Sequence, residues 1–361
     1  MGIGRFAYTP ILPLMTAQAA ISPQLAGHLA TANYVGYLAG AVAGTVSTRL
    51  TTSTVAWRTS LLVLVATLAA MPLVNNGTEW IALRTVAGFT SAVVFVIAVT
   101  SMLDHFAGHS PHLSGWGFGG VGVGIALSAA LVMALPAPRW ETAWWTAAIS
   151  AAILSAVAWS MSLGERQGPV AAAIPVEPRR RFDRRFGVLL LSYSLEGIGY
   201  IVAGTFLVAA IKETSSSWLG NGAWLFVGVA AAPSAALWAW LGARWSHPTL
   251  LVVALMVQAV GIALPAVAGG GAAALVGAVL FGGTFIGVST MALAAGRLMQ
   301  FPGAVALLTA GYSVGQIVGP VAVTPMLAHG FQLALIAAAL VVVAAAVAAA
   351  LVRMPQPEPA R

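Results

Sequence analysis

This chain reads as an all-α integral membrane protein of twelve helical spans. Composition is the first ground: 60% of its 361 residues are hydrophobic and only 7% are charged, against roughly 25% charged in a soluble domain. Apolar runs of about 18 to 28 residues follow one another with short gaps, each long enough to cross a hydrocarbon core. They lack the period-two alternation of barrel strands, and a backbone in hydrocarbon must satisfy its own hydrogen bonds, so the runs are helices. The third ground is the way basic residues sort between the gaps.

In chain order the spans fall near residues 1–17, 23–47, 57–74, 79–103, 113–135, 141–163, 186–211, 218–242, 248–268, 272–296, 303–327 and 330–352. The one substantial polar stretch, "GERQGPVAAAIPVEPRRRFDRR", is rich in proline and arginine and reads as an exposed linker over 164–185. It divides the chain into a first group of six spans (1–163) and a second (186–361). Arg49, Arg58, Arg166, the RRRFDRR run, Arg244, Arg297 and Arg353 all follow even-numbered spans, whereas only Arg139 and Lys212 fall in the alternate gaps. By the positive-inside rule both termini and the linker face the cytoplasm, and the protein sits as a multi-pass chain in the inner (cytoplasmic) membrane. That segregation accounts for the net charge of +7 without nucleic acid. Zero cysteines exclude disulfides, thiolate metal sites and cysteine nucleophiles.

The two groups of spans superpose at a constant offset of 195 residues: Gly2-Ile3-Gly4 falls on Gly197-Ile198-Gly199, and Arg49 on Arg244. Gly27, Gly88, Gly120 and Gly124 meet Gly222, Gly283, Gly315 and Gly319 at the same offset. Two parallel six-helix repeats around a central pathway is a transporter architecture. If the seventh span begins near Phe186, its counterpart begins about ten residues before Met1, so the first span reads as truncated at its amino end. Its seventeen residues would rise only about 25 Å, short of a core roughly 30 Å thick. In-frame apolar codons upstream of Met1 are therefore expected.

Several stretches in both groups resemble the major facilitator superfamily, and within it the YbfB/YjiJ-type branch: "GIGRFAYTPILPLM", "LATANYVGYLAGA", "GWGFGGVGVGIALSA", "LEGIGYIVAGTFLV" and "GYSVGQIVGP". The resemblance covers essentially the whole chain. It implies a secondary transporter that alternates access by rocking two six-helix bundles about a midplane site. "RTVAGFTSA", beginning at Arg84, resembles the superfamily's fourth-helix arginine motif, which is tied to proton coupling. "GTVSTRLTTSTVAWR" stands where the superfamily has a cytoplasmic loop between the second and third helices, but lacks the acidic residue usual there.

Arg5, Arg84 and Glu196 are the charges placed away from span ends. An ionised side chain near the bilayer centre costs about 2.5 to 3.5 kcal/mol on insertion scales, so such groups face a wet cavity or a partner. By helical rise, Arg5 lies about 18 Å from the far end of its span and Glu196 about 15 Å into its own, so both reach the midplane and are expected to share a vestibule. A buried ion bridge that only fixes packing is the competing reading. Functionally, the planar fork of Arg5 suits a carboxylate or phosphate on the substrate. Glu196 is the proton-coupling candidate, because a carboxyl moved between a dry site and an arginine's field can load and release a proton. Arg84 either joins it in proton coupling or snorkels to the outer interface.

Polar partners gather at helical spacing around these charges: Arg5, Tyr8 and Thr9 on the first span, Asn33 and Tyr37 on the second, Ser192, Glu196 and Tyr200 on the seventh, Tyr312 and Gln316 on the eleventh. Arg5, Tyr8, Asn33, Tyr37, Tyr200, Tyr312 and Gln316 are accordingly the expected substrate-binding set, with Glu196 and Arg84 for the proton. Interhelical hydrogen bonding without a ligand is the competing reading for each pair. Glycines at four-residue spacing, as in Gly36, Gly40 and Gly44, allow close helix approach. Pro10, Pro13 and Pro320 add kinks. "GFGGVGVG" lies inside an apolar run with no following lysine and is packing, not a phosphate loop. His105, His109 and His112 form a solvated loop, with no metal and no cofactor expected.

The expected function is secondary transport of a small organic solute, with an anionic or zwitterionic one favoured by two intramembrane arginines against one glutamate. Protons and the bilayer are the other expected partners, and the chain is expected to act as a monomer. Efflux of amphipathic compounds is the alternative, drawing on 12 tryptophans and 11 methionines. A non-transporting receptor or a membrane enzyme is the reading from another class. No Ser-His-Asp or paired-carboxylate arrangement suits catalysis, and no Walker motif supports ATP-driven transport.

Overall fold

The computed structural model describes residues 2–47, 50, 52–105, 111–161, 184–214, 217–242, 244–299 and 304–352. Among them lie thirteen α-helices, two single 3-10 turns and no strand. The helices are α1 (Gly2–Phe6), α2 (Tyr8–Gln18), α3 (Pro23–Val46), α4 (Thr54–Ala70), α5 (Gly77–His105), α6 (Pro111–Met133) and α7 (Trp140–Val157), then α8 (Arg184–Thr214), α9 (Ser217–Gly242), α10 (His247–Val267), α11 (Gly270–Leu298), α12 (Ala304–Leu327) and α13 (Phe331–Ala350). From α4 onward each is long and apolar enough to cross a membrane, ten in all. α3 is long enough but carries His28, Asn33, Tyr34 and Tyr37. The first expected span is two helices, α1 and α2, parted at Ala7. Pro10 explains the interruption: it has no N–H to donate to Phe6, and its ring crowds the carbonyl four residues back. Most of the expected linker, and His109, lie outside the described residues.

Helix starts follow local chemistry. Ser22, Ser53 and Ser246 each accept, through the side chain, a hydrogen bond from the backbone N–H three residues on, capping α3, α4 and α10. α13 is capped from a distance: Gly330 has φ of 107°, a value that favours glycine, and offers no side chain, so both Glu213 oxygens accept from the Phe331 N–H at 3.0 and 3.2 Å.

α8 is the central element, with 83% of its most apolar window buried inside the protein against 28% for α7. It packs on α13, α12, α9 and α2, while α3 packs on α5 and α12, and α10 on α11 and α13. The most extensive crossing joins α6 to α9. There Gly122 and Gly228 let the backbones touch, since a Cβ on Gly228 would stand 2.6 Å from both the Ala126 Cα and the Gly122 carbonyl oxygen. Close approach also brings Gly2 of α1 against Gly124 of α6.

Two cavities bear on the site. One, of 480 Å³, lies at the amino end of α1 among Gly2, Gly4, Leu61, Val94, Phe118 and Ala151. The other, of 780 Å³, runs along α3 from Leu38 to Val46 and along α12 from Ala304 to Ser313, with Arg297 on its wall.

Candidate functional site

A caged arginine is held by residues that neighbour the larger cavity's lining in sequence. Leu38 and Ser313 are among that cavity's lining residues; Tyr37 is adjacent to the first and Gln316 one turn beyond the second. Arg5 lies against both. Its Nη2 donates to Gln316 Oε1, and its Cζ stands 4.1 Å from the Tyr37 ring centroid and 5.3 Å from those of Phe6 and Tyr34. Only 6% of Arg5 is exposed, and its Nε has no partner. Aromatic faces supply a diffuse negative potential, worth about 2 kcal/mol or more when desolvated, and the Tyr37 hydroxyl also accepts a hydrogen bond from Arg5. A buried guanidinium N–H left unpaired costs about 1 to 3 kcal/mol, so the cage holds the cation without satisfying it.

Arg84 is buried in the same region instead of reaching an interface. It is 2% exposed, with Cζ 4.9 Å from the Tyr8 ring and 5.9 Å from Trp144, and its Nε and Nη1 have no partner. Tyr8 donates to the Ala26 carbonyl at 2.9 Å, and Asn33 donates to the Arg84 carbonyl at 3.0 Å, which ties α3 to α5.

Glu196 is fully buried elsewhere. Its Oε1 accepts from Gln258 Nε2 of α10 at 3.1 Å and its Oε2 has no partner. Arg5 and Glu196, expected to share one vestibule, form no ion pair: each is held by its own glutamine. Tyrosines stand between them. Tyr193 and Tyr200, on either side of Glu196 along α8, stack on Tyr312 with centroids 4.5 and 5.9 Å away. Tyr200 continues the stack onto Phe285 at 5.2 Å and Phe281 at 6.0 Å. Tyr200 and Tyr312 lie within electrostatic reach of both Arg5 and Glu196.

The helical faces inferred from spacing divide on packing. Thr9 turns from Arg5 to donate to the Gly204 carbonyl of α8 at 2.6 Å, and Ser192 turns from Tyr200 to donate to Ala345 of α13 at 2.7 Å. Asn33 faces α5 while Tyr37 faces Arg5. Four residues absent from the sequence reading belong here: Tyr34 and Thr205, whose hydroxyls pair at 2.8 Å across α3 and α8, and Gln258 and Tyr193 beside Glu196. Tyr34 had a signal, being three residues before Tyr37, as did Gln258, a lone amide in an apolar span.

A helical membrane fold with buried cations suits solute passage, and a comparison with known families decides the matter. The family model described as "Uncharacterised MFS-type transporter YbfB" matches residues 1–352. The chain belongs to that family. As a member of the YbfB family it is a membrane transporter, not an enzyme. No curated protein sequence matches it. Among solved structures it is similar to the nucleoside transporter NupG, with a TM-score of 0.71, 14% identity and 96% of each chain covered. It is likewise similar to a mutant form of NupG, with a TM-score of 0.72, 14% identity and 96% of each chain covered. At that identity the likeness concerns the fold of this YbfB-type chain.

Proposed function

We propose that this protein is a proton-coupled secondary transporter of a small organic anion, working by alternating access between two six-helix bundles. In this reading α1 and α2 make one span and α3 another, so the chain has twelve, with both termini and the 780 Å³ cavity on the cytoplasmic side. Arg5 binds the anionic group of the solute, flanked by Tyr8, Asn33, Tyr37, Tyr200, Tyr312 and Gln316. Glu196 carries the proton, and Arg84 belongs to the same charge-sensitive centre. The observation that carries the proposal is Arg5 itself: a buried guanidinium bonded to a neutral amide and to no carboxylate. An incoming carboxylate or phosphate outcompetes that amide, since a charge-assisted hydrogen bond is roughly twice as strong as a neutral one.

Thr9 and Gly204, separated by 195 positions, touch directly. Positions equivalent under the repeat meet where the repeat axis passes, which supports a rocking arrangement about α2 and α8. The test is uptake of radiolabelled organic anions into proteoliposomes under an imposed pH gradient. Accumulation that collapses with a protonophore supports the reading, and flux indifferent to the gradient removes the proton. Efflux of amphipathic compounds is the second reading, favoured by the apolar lining of the large cavity; accumulation of a lipophilic cation in place of anions would select it.

A further inference from the structure

Two buried cations stand close together here with no anion between them. Tyr8 lies one turn after Arg5, and the Arg84 guanidinium is 4.9 Å from its ring. Tyr34 is 5.3 Å from the Arg5 guanidinium and directly follows Asn33, whose amide holds the Arg84 carbonyl. Each arginine lies within the other's field, and Tyr34 within that of both. Neither forms an ion pair among the described residues, and the buried Glu196 is engaged with Gln258. Unpartnered N–H groups remain on each: Nε of Arg5, Nε and Nη1 of Arg84. Like charges in a dry compartment repel, and the free donors ask for acceptors; a single ligand that brings two negative groups answers both demands. Arg297 on the wall of the larger cavity adds a further positive charge on that side of the protein.

We infer that Arg5 and Arg84 form one anion site that takes a small dianion, with one negative group on each guanidinium. The inference rests on the proposed function and narrows its substrate class from anions in general to compact dicarboxylates or phosphate esters. The competing role for Arg84 is a brace that stacks Tyr8 against Trp144 with no ligand.

Thermal unfolding of the purified full chain in detergent tests it, with succinate and inorganic phosphate at about pH 8 as dianions and acetate and formate as monoanions, all at matched ionic strength. Dianions are expected to stabilise at concentrations about tenfold below the monoanions. Arg84→Met should weaken succinate about tenfold while leaving acetate within about threefold. If Arg84→Met fails to fold, Arg84→Lys replaces it: the charge stays, the fork is lost, and the preference for dianions should shrink. Equal potency of succinate and acetate, no stabilisation by either dianion, or an unchanged succinate response in the Arg84 variant that folds would each overturn the site. Failure of the transport reading looks different: dianion binding would persist while no pH-driven flux appears. pH-driven flux of monoanions with no dianion binding would remove the two-arginine site alone.

Discussion

Arg5 donates a hydrogen bond to Gln316, 311 residues further along the chain. One partner lies on α1 and the other on α12, so a charged donor on one helix is tied to a neutral acceptor on another. In the proposed function an entering anion would take the place of Gln316 on Arg5, so ligand arrival would release α12 from α1.

From this exchange, Arg5→Lys keeps the charge but loses the planar fork and should lower anion flux about tenfold, ~1.4 kcal/mol in binding. Gln316→Ala should weaken anion binding less than Arg5→Lys does, because the flanking amide it removes is also the competitor for Arg5. Initial uptake rates in proteoliposomes over a range of solute concentrations separate the two.

Glu196→Gln keeps the shape and a hydrogen bond to Gln258 but removes the titrating group. Solute exchange across the vesicle should continue while uphill accumulation driven by a pH gradient disappears. A variant that still accumulates solute with unaltered proton dependence would remove Glu196 from the coupling.

The α6–α9 crossing is sensitive to a single methyl group. Gly228→Val would press side-chain carbon against Ala126 and the Gly122 carbonyl, backbone that cannot yield as a flexible side chain would. Overpacking of this kind costs about 1 to 3 kcal/mol. Intrinsic tryptophan fluorescence during thermal unfolding in detergent should register the loss; Gly283→Ala, where a Cβ meets nothing within 4 Å, should register little.

Glu213→Ala removes the acceptor that caps α13 from the end of α8. The expected cost is about 0.5 to 2 kcal/mol, as for other lost N-caps. Amide hydrogen exchange should rise first at the amino end of α13, and Glu213→Gln, which keeps an acceptor oxygen, should restore most of the protection.

Much of this protein is local physics and is legible residue by residue. An apolar run in hydrocarbon has one economical way to satisfy its backbone, with partners four residues away, so helix positions follow from hydropathy and agree with the structure to within about six residues. The burial of Arg5 and Glu196 follows the same way, since charges so far from a span end must lie inside; Arg84, near the start of its span, could equally have snorkelled, and packing decided its burial. Their partners were not legible. Whether Glu196 meets Arg5 or Gln258 depends on how far α8 turns about its axis and which helices it packs on. Helical spacing places Thr9 beside Arg5 and Ser192 beside Tyr200, yet one turn spans several neighbours, and those pairs bond in different directions. Sequence periodicity reports a face; only packing between helices distant in the chain decides what that face meets.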